Sequence, residues 1–370
     1  MRANEVKIFL NKLYTSGLNQ LPVLLLGGPG IGKSTCVREF AEETARKLGR
    51  EFVDYEDPLV DKILADPERY FVYLKVGLAG TEPSDLQGFP RIRADAARYF
   101  PLEWVKILSK CPGVLFLDDF LDVPDRKDVL AQAYRISLDR RVGYTFLHPG
   151  VQVVAASNTP DTSSLSQLMP LPLANRFIIL EVSVPTVDEW ATWMDTEGFE
   201  WDRRVFAFLK RFEDSGYIYK PPEAPETLGE YPTPRSWTNL ARLLARGIEG
   251  PQTIEGLIGA EMAQKFGAFL KLDVDIEELA KNPSRFSGLS LDAKYMAVVE
   301  LATAIGKNIT QWLPLIDAMA KDSREWLVIL VICMSPRKKS EFLEQLIKQR
   351  PEFATLLEKV IQDRGLLLRR

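Results

Sequence analysis

Nothing constrains the fold of this chain more than the segment Gly27-Gly28-Pro29-Gly30-Ile31-Gly32-Lys33-Ser34-Thr35. Gly27, Gly32, Lys33 and Ser34 satisfy the phosphate-loop pattern G-x-x-x-x-G-K-[ST], a motif that works only between a strand and a helix. Both flanks fit. Residues 21–26 read as a short buried strand, and Val37, Phe40, Ala41, Thr44 and Leu48 share one helical face before Gly49. Glycines let backbone N–H groups turn inward around a polyphosphate, and the helix start adds a positive dipole end. Residues 28–35 therefore predict a nucleoside-triphosphate site. Lys33 would reach the β- and γ-phosphates, and the Ser34 hydroxyl would ligate Mg²⁺.

The remaining pattern changes character near residue 183. Before it, apolar runs at 23–27, 52–55, 71–76, 114–118, 151–156 and 177–182 alternate with helical stretches at 34–48, 102–110 and 125–139. That alternation predicts a mostly parallel sheet covered on both faces. Beyond 183 the expectation is helices only, near 187–197, 203–214, 235–247, 252–270, 290–305, 323–334, 337–348 and 352–363. Five prolines between 220 and 234 predict a stiff extended loop.

The formal charge of −4 gives no general pull toward nucleic acid. Cys36, Cys111 and Cys333 form no Cys-x-x-Cys pair and suit a reducing compartment. The first seven residues mix charges unlike a secretory signal, and the longest apolar run, 326–334, is too short to span a bilayer. A cytoplasmic, membrane-free protein is expected.

Four further signals lie where triphosphate chemistry would need them. The apolar run 114–117 ends in Asp118 and Asp119, two carboxylates at the ligand edge of an α/β sheet. Asp118 would join Ser34 in the Mg²⁺ shell, and Asp119 would orient the attacking water. A second apolar strand ends at Asn158, whose amide can hold a water near the γ-phosphate, although an asparagine there is also a common turn former. Arg176 stands between a helix end and a strand, either as an ordinary salt-bridged arginine or as a finger for a neighbour's nucleotide. Thr233-Pro234-Arg235 sets a guanidinium at a capped helix mouth, as surface charge or as a contact to phosphate. The single histidine, His148, has no histidine or cysteine partner in pattern.

Taken in order, the phosphate loop, Asp118-Asp119, Asn158, Arg176 and Arg235 resemble Walker A, Walker B, sensor 1, arginine finger and sensor 2 of the AAA+ ATPases. Glu82-Pro83-Ser84-Asp85-Leu86-Gln87-Gly88-Phe89-Pro90, Leu138-Asp139-Arg140-Arg141-Val142-Gly143, Ala174-Asn175-Arg176-Phe177 and Pro234-Arg235-Ser236-Trp237 resemble the MoxR-like branch of the helix-2-insert clade. The likeness covers 21–247 and thins over 248–370. Asp119 stands where the family usually has glutamate, and the shorter side chain bears on turnover rate.

The resemblance implies an AAA+ nucleotide-binding α/β domain over 1–183 with a doubly wound sheet. A helical lid carrying sensor 2 would follow over 184–247, and a C-terminal helical extension over 248–370. It also implies a hexameric ring with nucleotide between neighbours and Arg176 acting across the interface. The branch acts as a chaperone-like remodeller, often paired with a protein carrying a von Willebrand factor A domain. The stretch 84–99 would hold the clade's insertion, where Arg91, Arg93 and Arg98 are candidates for an acidic partner or for a solvated face. Two functions remain open from the sequence: an ATPase that remodels or assembles a protein partner, and a slow-hydrolysing scaffold or loader on DNA. Against the loader stand the acidic balance and the lack of a DNA-binding appendage.

Overall fold

The computed structural model describes residues 1–93, 96–123, 126–159, 169, 174–222, 229–306 and 308–357, with the backbone alone at 57, 93 and 96–98. Pro225, one of the five prolines, and the end of the last expected helix lie outside the described residues, as do the side chains of Arg93 and Arg98. Contacts divide the chain between Val184 and Pro185 into two compact units.

The first unit opens with helix α1 (Ala3–Thr15), strand β1 (Val23–Leu26) and helix α2 (Lys33–Lys47). Then come β2 (Glu51–Asp54), α3 (Val60–Ala65), β3 (Tyr70–Gly77), the short α4 (Pro83–Gln87) and a hairpin of β4 (Phe89–Arg93) and β5 (Ala96–Phe100). They are followed by α5 (Glu103–Lys110), β6 (Gly113–Asp118), α6 (Lys127–Asp139), a small hairpin of β7 (Arg141–Val142) and β8 (Thr145–Phe146), then β9 (Val151–Ser157) and β10 (Ile178–Glu181). Six strands form one sheet in the order β10-β1-β9-β6-β3-β2, each neighbouring pair parallel. The chain leaves β1 for the far edge, returns strand by strand to β9, then crosses to β10 on the other side of β1. Strand order thus reverses at β1, the position where open α/β sheets form their ligand crevice.

Both faces are covered, which is why the central strands β1, β9, β6 and β3 read as near-continuous apolar runs. On one face Leu24, Val72, Leu74, Leu115, Leu117, Val153 and Ala155 pack with Ile63, Val105, Leu108, Val129, Ala133 and Ile136 of α3, α5 and α6. On the other face α2 lies against the strands with α1 beside it. Tyr14 joins these layers, its ring 5.7 Å from Phe71 and 6.2 Å from Phe40, and its hydroxyl donates to Gly150 O. The result is a doubly wound α/β phosphate-loop sheet, followed by a helical region.

That region is a unit in its own right. Phe208 at its centre meets Phe212, Tyr217, Trp237, Phe266 and Phe269, all with ring centroids within 6 Å. The apolar run 326–334 contributes the helix Glu325–Cys333, every residue of which after Glu325 is buried. Asp195 and Lys339 form a buried ion pair at 3.0 Å, and Asp195 also accepts from Trp201 and Arg203. Burial holds the Lys339 ammonium below its usual pKa, with Asp195 pulling the other way. The single helix expected over 252–270 is interrupted and forms two, Pro251–Ile258 and Ala260–Leu270. Gly259 breaks it at φ +78°, where a Cβ would come within 2.4 Å of the Glu230 carbonyl oxygen. No described helix is long and apolar enough to cross a membrane.

Candidate functional site

The parallel register brings the carboxyl ends of three adjacent strands level. Leu26 of β1 pairs with Ser157 of β9, and Leu117 of β6 pairs with Ala155. The loop after β1, Asp118 at the end of β6 and Asn158 just past β9 therefore meet at one sheet edge. Gly30 and Gly32 take φ +74° and +100°, backbone states that favour glycine. Gly27 is held so closely that a Cβ would come within 2.6 Å of Val182 O. Gly32 leads directly into α2, so the residues 28–35 wrap the start of a helix, a ready anion site. Ile31 is buried beneath the loop, while Gly28, Pro29, Gly30, Ser34 and Thr35 are half-buried.

Lys33 is buried at the centre. Its Nζ donates to Gly27 O at 2.7 Å, Gly28 O at 2.9 Å and Asn158 Oδ1 at 3.1 Å. The Ser34 hydroxyl donates to Asp118 Oδ2 at 3.2 Å. The same oxygen lies 2.7 Å from Lys75 Nζ on β3. Asp119 sits in the left-handed region at φ 55°, and its N–H donates to Asp118 Oδ1. Burial, then Asp118 and Asp122, holds its carboxyl above the usual value, against the pull of Lys75 and Lys33. A hydroxyl and a carboxylate within hydrogen-bond distance beside a helix start form a hard-oxygen set suited to Mg²⁺, which retains waters and phosphate oxygens for its remaining positions.

Lys33, Ser34, Asp118 and Asn158 are thus joined by direct contacts, and Asp119 adjoins them. Arg176 is elsewhere. It precedes β10, whose first residue Ile178 pairs with Val23 at the start of β1, so Arg176 stands at the amino edge of the sheet. The four-residue β10 alone spans about 13 Å between the two edges. Phe177, packed on Phe120 with centroids 5.6 Å apart, fixes the chain there and leaves Arg176 exposed. Arg235 belongs to the helical unit. Thr233 caps the helix Pro234–Leu244 by accepting from Ser236 N, Trp237 is fully buried behind it, and Arg235 is exposed on its first turn. His148 Nδ1 accepts from Gly150 N, within its own turn.

Two residues escaped the sequence reading. Lys75 is a charged residue inside an apolar strand, and that anomaly was its only signal. Asp122 is the third acid in Asp118-Asp119-Phe120-Leu121-Asp122, and its link to Asn158 depends on β6 pairing with β9.

No protein-family profile and no curated protein matches the sequence. Among solved structures, the chain is similar to Cdc6p from Pyrobaculum aerophilum, at 15% identity over 86% of each chain and a TM-score of 0.41. It is similar to C. elegans PCH-2 at 15% identity, over 74% of this chain and 64% of that one, with a TM-score of 0.32. For AMPPCP-bound DnaA from Aquifex aeolicus the identity is 12%, the coverage 99% and 93%, and the TM-score 0.29. The chain spans less than two thirds of the PCH-2 structure's length.

Proposed function

We propose that this chain is a ring-forming, MoxR-like AAA+ ATPase that hydrolyses ATP to remodel or assemble a protein partner. The observation that carries the reading is the meeting of Lys33, Ser34, Asp118 and Asn158 at the carboxyl ends of β1, β6 and β9, with Asp119 beside them. Phosphoryl transfer to water needs charge neutralisation and an in-line nucleophile more than covalent help. Lys33 supplies a point charge to the β- and γ-phosphates, exchanging its carbonyl partners for phosphate oxygens. Ser34 and Asp118 would hold Mg²⁺, which when bound neutralises charge between those phosphates. Asp119 accepts a hydrogen bond from the attacking water, and the Asn158 amide borders the same space. Arg176 cannot serve its own chain from the amino edge, which supports its action on a neighbouring copy's nucleotide in a ring, hexameric by family resemblance. Arg235 would carry lid motion to the phosphates. The von Willebrand factor A partner and the cytoplasmic address belong to the same reading.

Lys33→Ala tests it. Binding of a fluorescent ATP analogue should weaken about 10- to 100-fold, the worth of a charged hydrogen-bond donor on phosphate, with the circular dichroism spectrum unchanged. Unchanged affinity would overturn the nucleotide site and the activity built on it.

A further inference from the structure

Asp122 lies in the turn after β6, and the proposed chemistry leaves it without a role. Its side chain is only 6% exposed. Its Oδ2 accepts three hydrogen bonds, from Ser157 Oγ at 3.1 Å, Asn158 N at 3.0 Å and Asn158 Nδ2 at 3.1 Å. Its Oδ1 is buried and has no hydrogen-bond partner among the described residues. The turn is closed by further bonds. Leu121 N donates to Ser157 Oγ, Phe120 N to Ala156 O, and Asp122 N to Asp119 O. The end of β6 is thus stitched to the end of β9 by the Asp122 carboxylate together with the backbone N–H groups of Phe120 and Leu121.

The consequence falls on the Asn158 amide. A primary amide has one accepting end and one donating end. With Nδ2 donating to Asp122, Oδ1 is turned toward Lys33 Nζ, 3.1 Å away. Reversing the amide would set its carbonyl against a carboxylate and its NH₂ against an ammonium, so both contacts select one orientation. Hydrogen bonds to the backbone N–H and to Ser157 keep the carboxylate from swinging away. We infer that Asp122 is a positioning residue of the nucleotide site, which orients the Asn158 amide and holds its accepting oxygen on Lys33. The value of that orientation for turnover rests on the proposed ATPase activity; the orientation itself does not.

The experiment has two arms. In protein labelled with ¹⁵N-asparagine, the Asn158 side-chain signals are identified by their loss in Asn158→Ala. Exchange of those amide protons with solvent should rise at least about tenfold in Asp122→Ala, as expected when a charge-assisted hydrogen bond is lost, and much less in Asp122→Asn, which can keep an accepting oxygen in place. Unchanged exchange in Asp122→Ala overturns the inference, whether or not ATP is hydrolysed. The second arm is a double-mutant cycle on ATP turnover. Asp122→Ala and Asn158→Ala should each slow it, and the double variant should be no slower than Asn158→Ala within about twofold. Multiplying losses would mean that Asp122 acts apart from Asn158, and would overturn its positioning role in turnover. Should Asp122→Ala not fold, Asp122→Asn carries both arms, with a smaller rise in exchange and the same non-additivity expected. Absence of turnover in the unaltered protein would count against the ATPase reading and leave the exchange arm to decide on Asp122.

Discussion

Lys75 sets an ammonium 2.7 Å from the Asp118 oxygen that also accepts from Ser34. In the proposed chemistry that oxygen belongs to the metal, so Lys75 and Mg²⁺ are rivals for it. Lys75 is half-exposed on its strand, so water screens the contact and the competition is modest. Lys75→Met should therefore lower the Mg²⁺ concentration that half-saturates tightening of a fluorescent ATP analogue, by about three- to tenfold. A rise instead would mean that Lys75 helps to hold the phosphates.

At the scale of the element, β9 carries an anomaly. Gln152 is fully buried, and neither end of its amide finds a hydrogen bond among the described residues. A buried amide without partners costs about 1–3 kcal/mol, so Gln152→Leu should stabilise the first unit by that order. The thiols there report unfolding. Burial pushes Cys36 up to about 12 and Cys111 up to about 11, so both resist alkylation until the unit opens. The urea concentration at which mass spectrometry finds them alkylated should rise in Gln152→Leu. A fall would reveal a partner for that amide.

The same elements explain what was legible in advance. The central strands β1, β9, β6 and β3 could be read because strands buried on both faces are near-continuous apolar runs, and the partly exposed edge strands β2 and β10 because each still carries a short apolar run, Phe52-Val53 and Ile178-Ile179-Leu180. The phosphate loop, Asp118 and Asn158 were legible because each follows such a run. Helix α1 was not, since its buried face of Val6, Leu10 and Leu13 is interleaved with charged residues and the exposed Ile8. Neither hairpin was legible either. Phe89 and Ile92 of β4 and Phe146 of β8 are all more than half exposed, so these apolar residues do not mark a buried face. Asp122 and Lys75 needed the pairing of strands far apart in sequence before their partners came into reach.

For the whole molecule, the separation of Arg176 from the phosphate loop makes a prediction about assemblies. Lys33→Ala and Arg176→Ala should each be inactive, the second losing about 10³-fold or more in turnover with little loss of binding. Mixed after subunit exchange, they should regain part of the activity, because some interfaces then unite an intact Lys33 with an intact Arg176. No recovery despite demonstrated exchange would confine Arg176 to its own chain.

The strand order has one more consequence, in time rather than space. β1 is the first strand of the sheet to leave the ribosome, yet its two neighbours, β9 and β10, are the last. A growing chain can pair β2 with β3, and β3 with β6, long before anything exists to flank 23–26. During synthesis the most apolar strand therefore waits bare with its glycine loop, and the nucleotide site is completed only when the closing strands arrive. Parallel pairings over such separations are slow to form and expose apolar edges meanwhile. Truncation anywhere before Ile178 would strand β1 without a full set of partners, a nascent state suited to capture by chaperones.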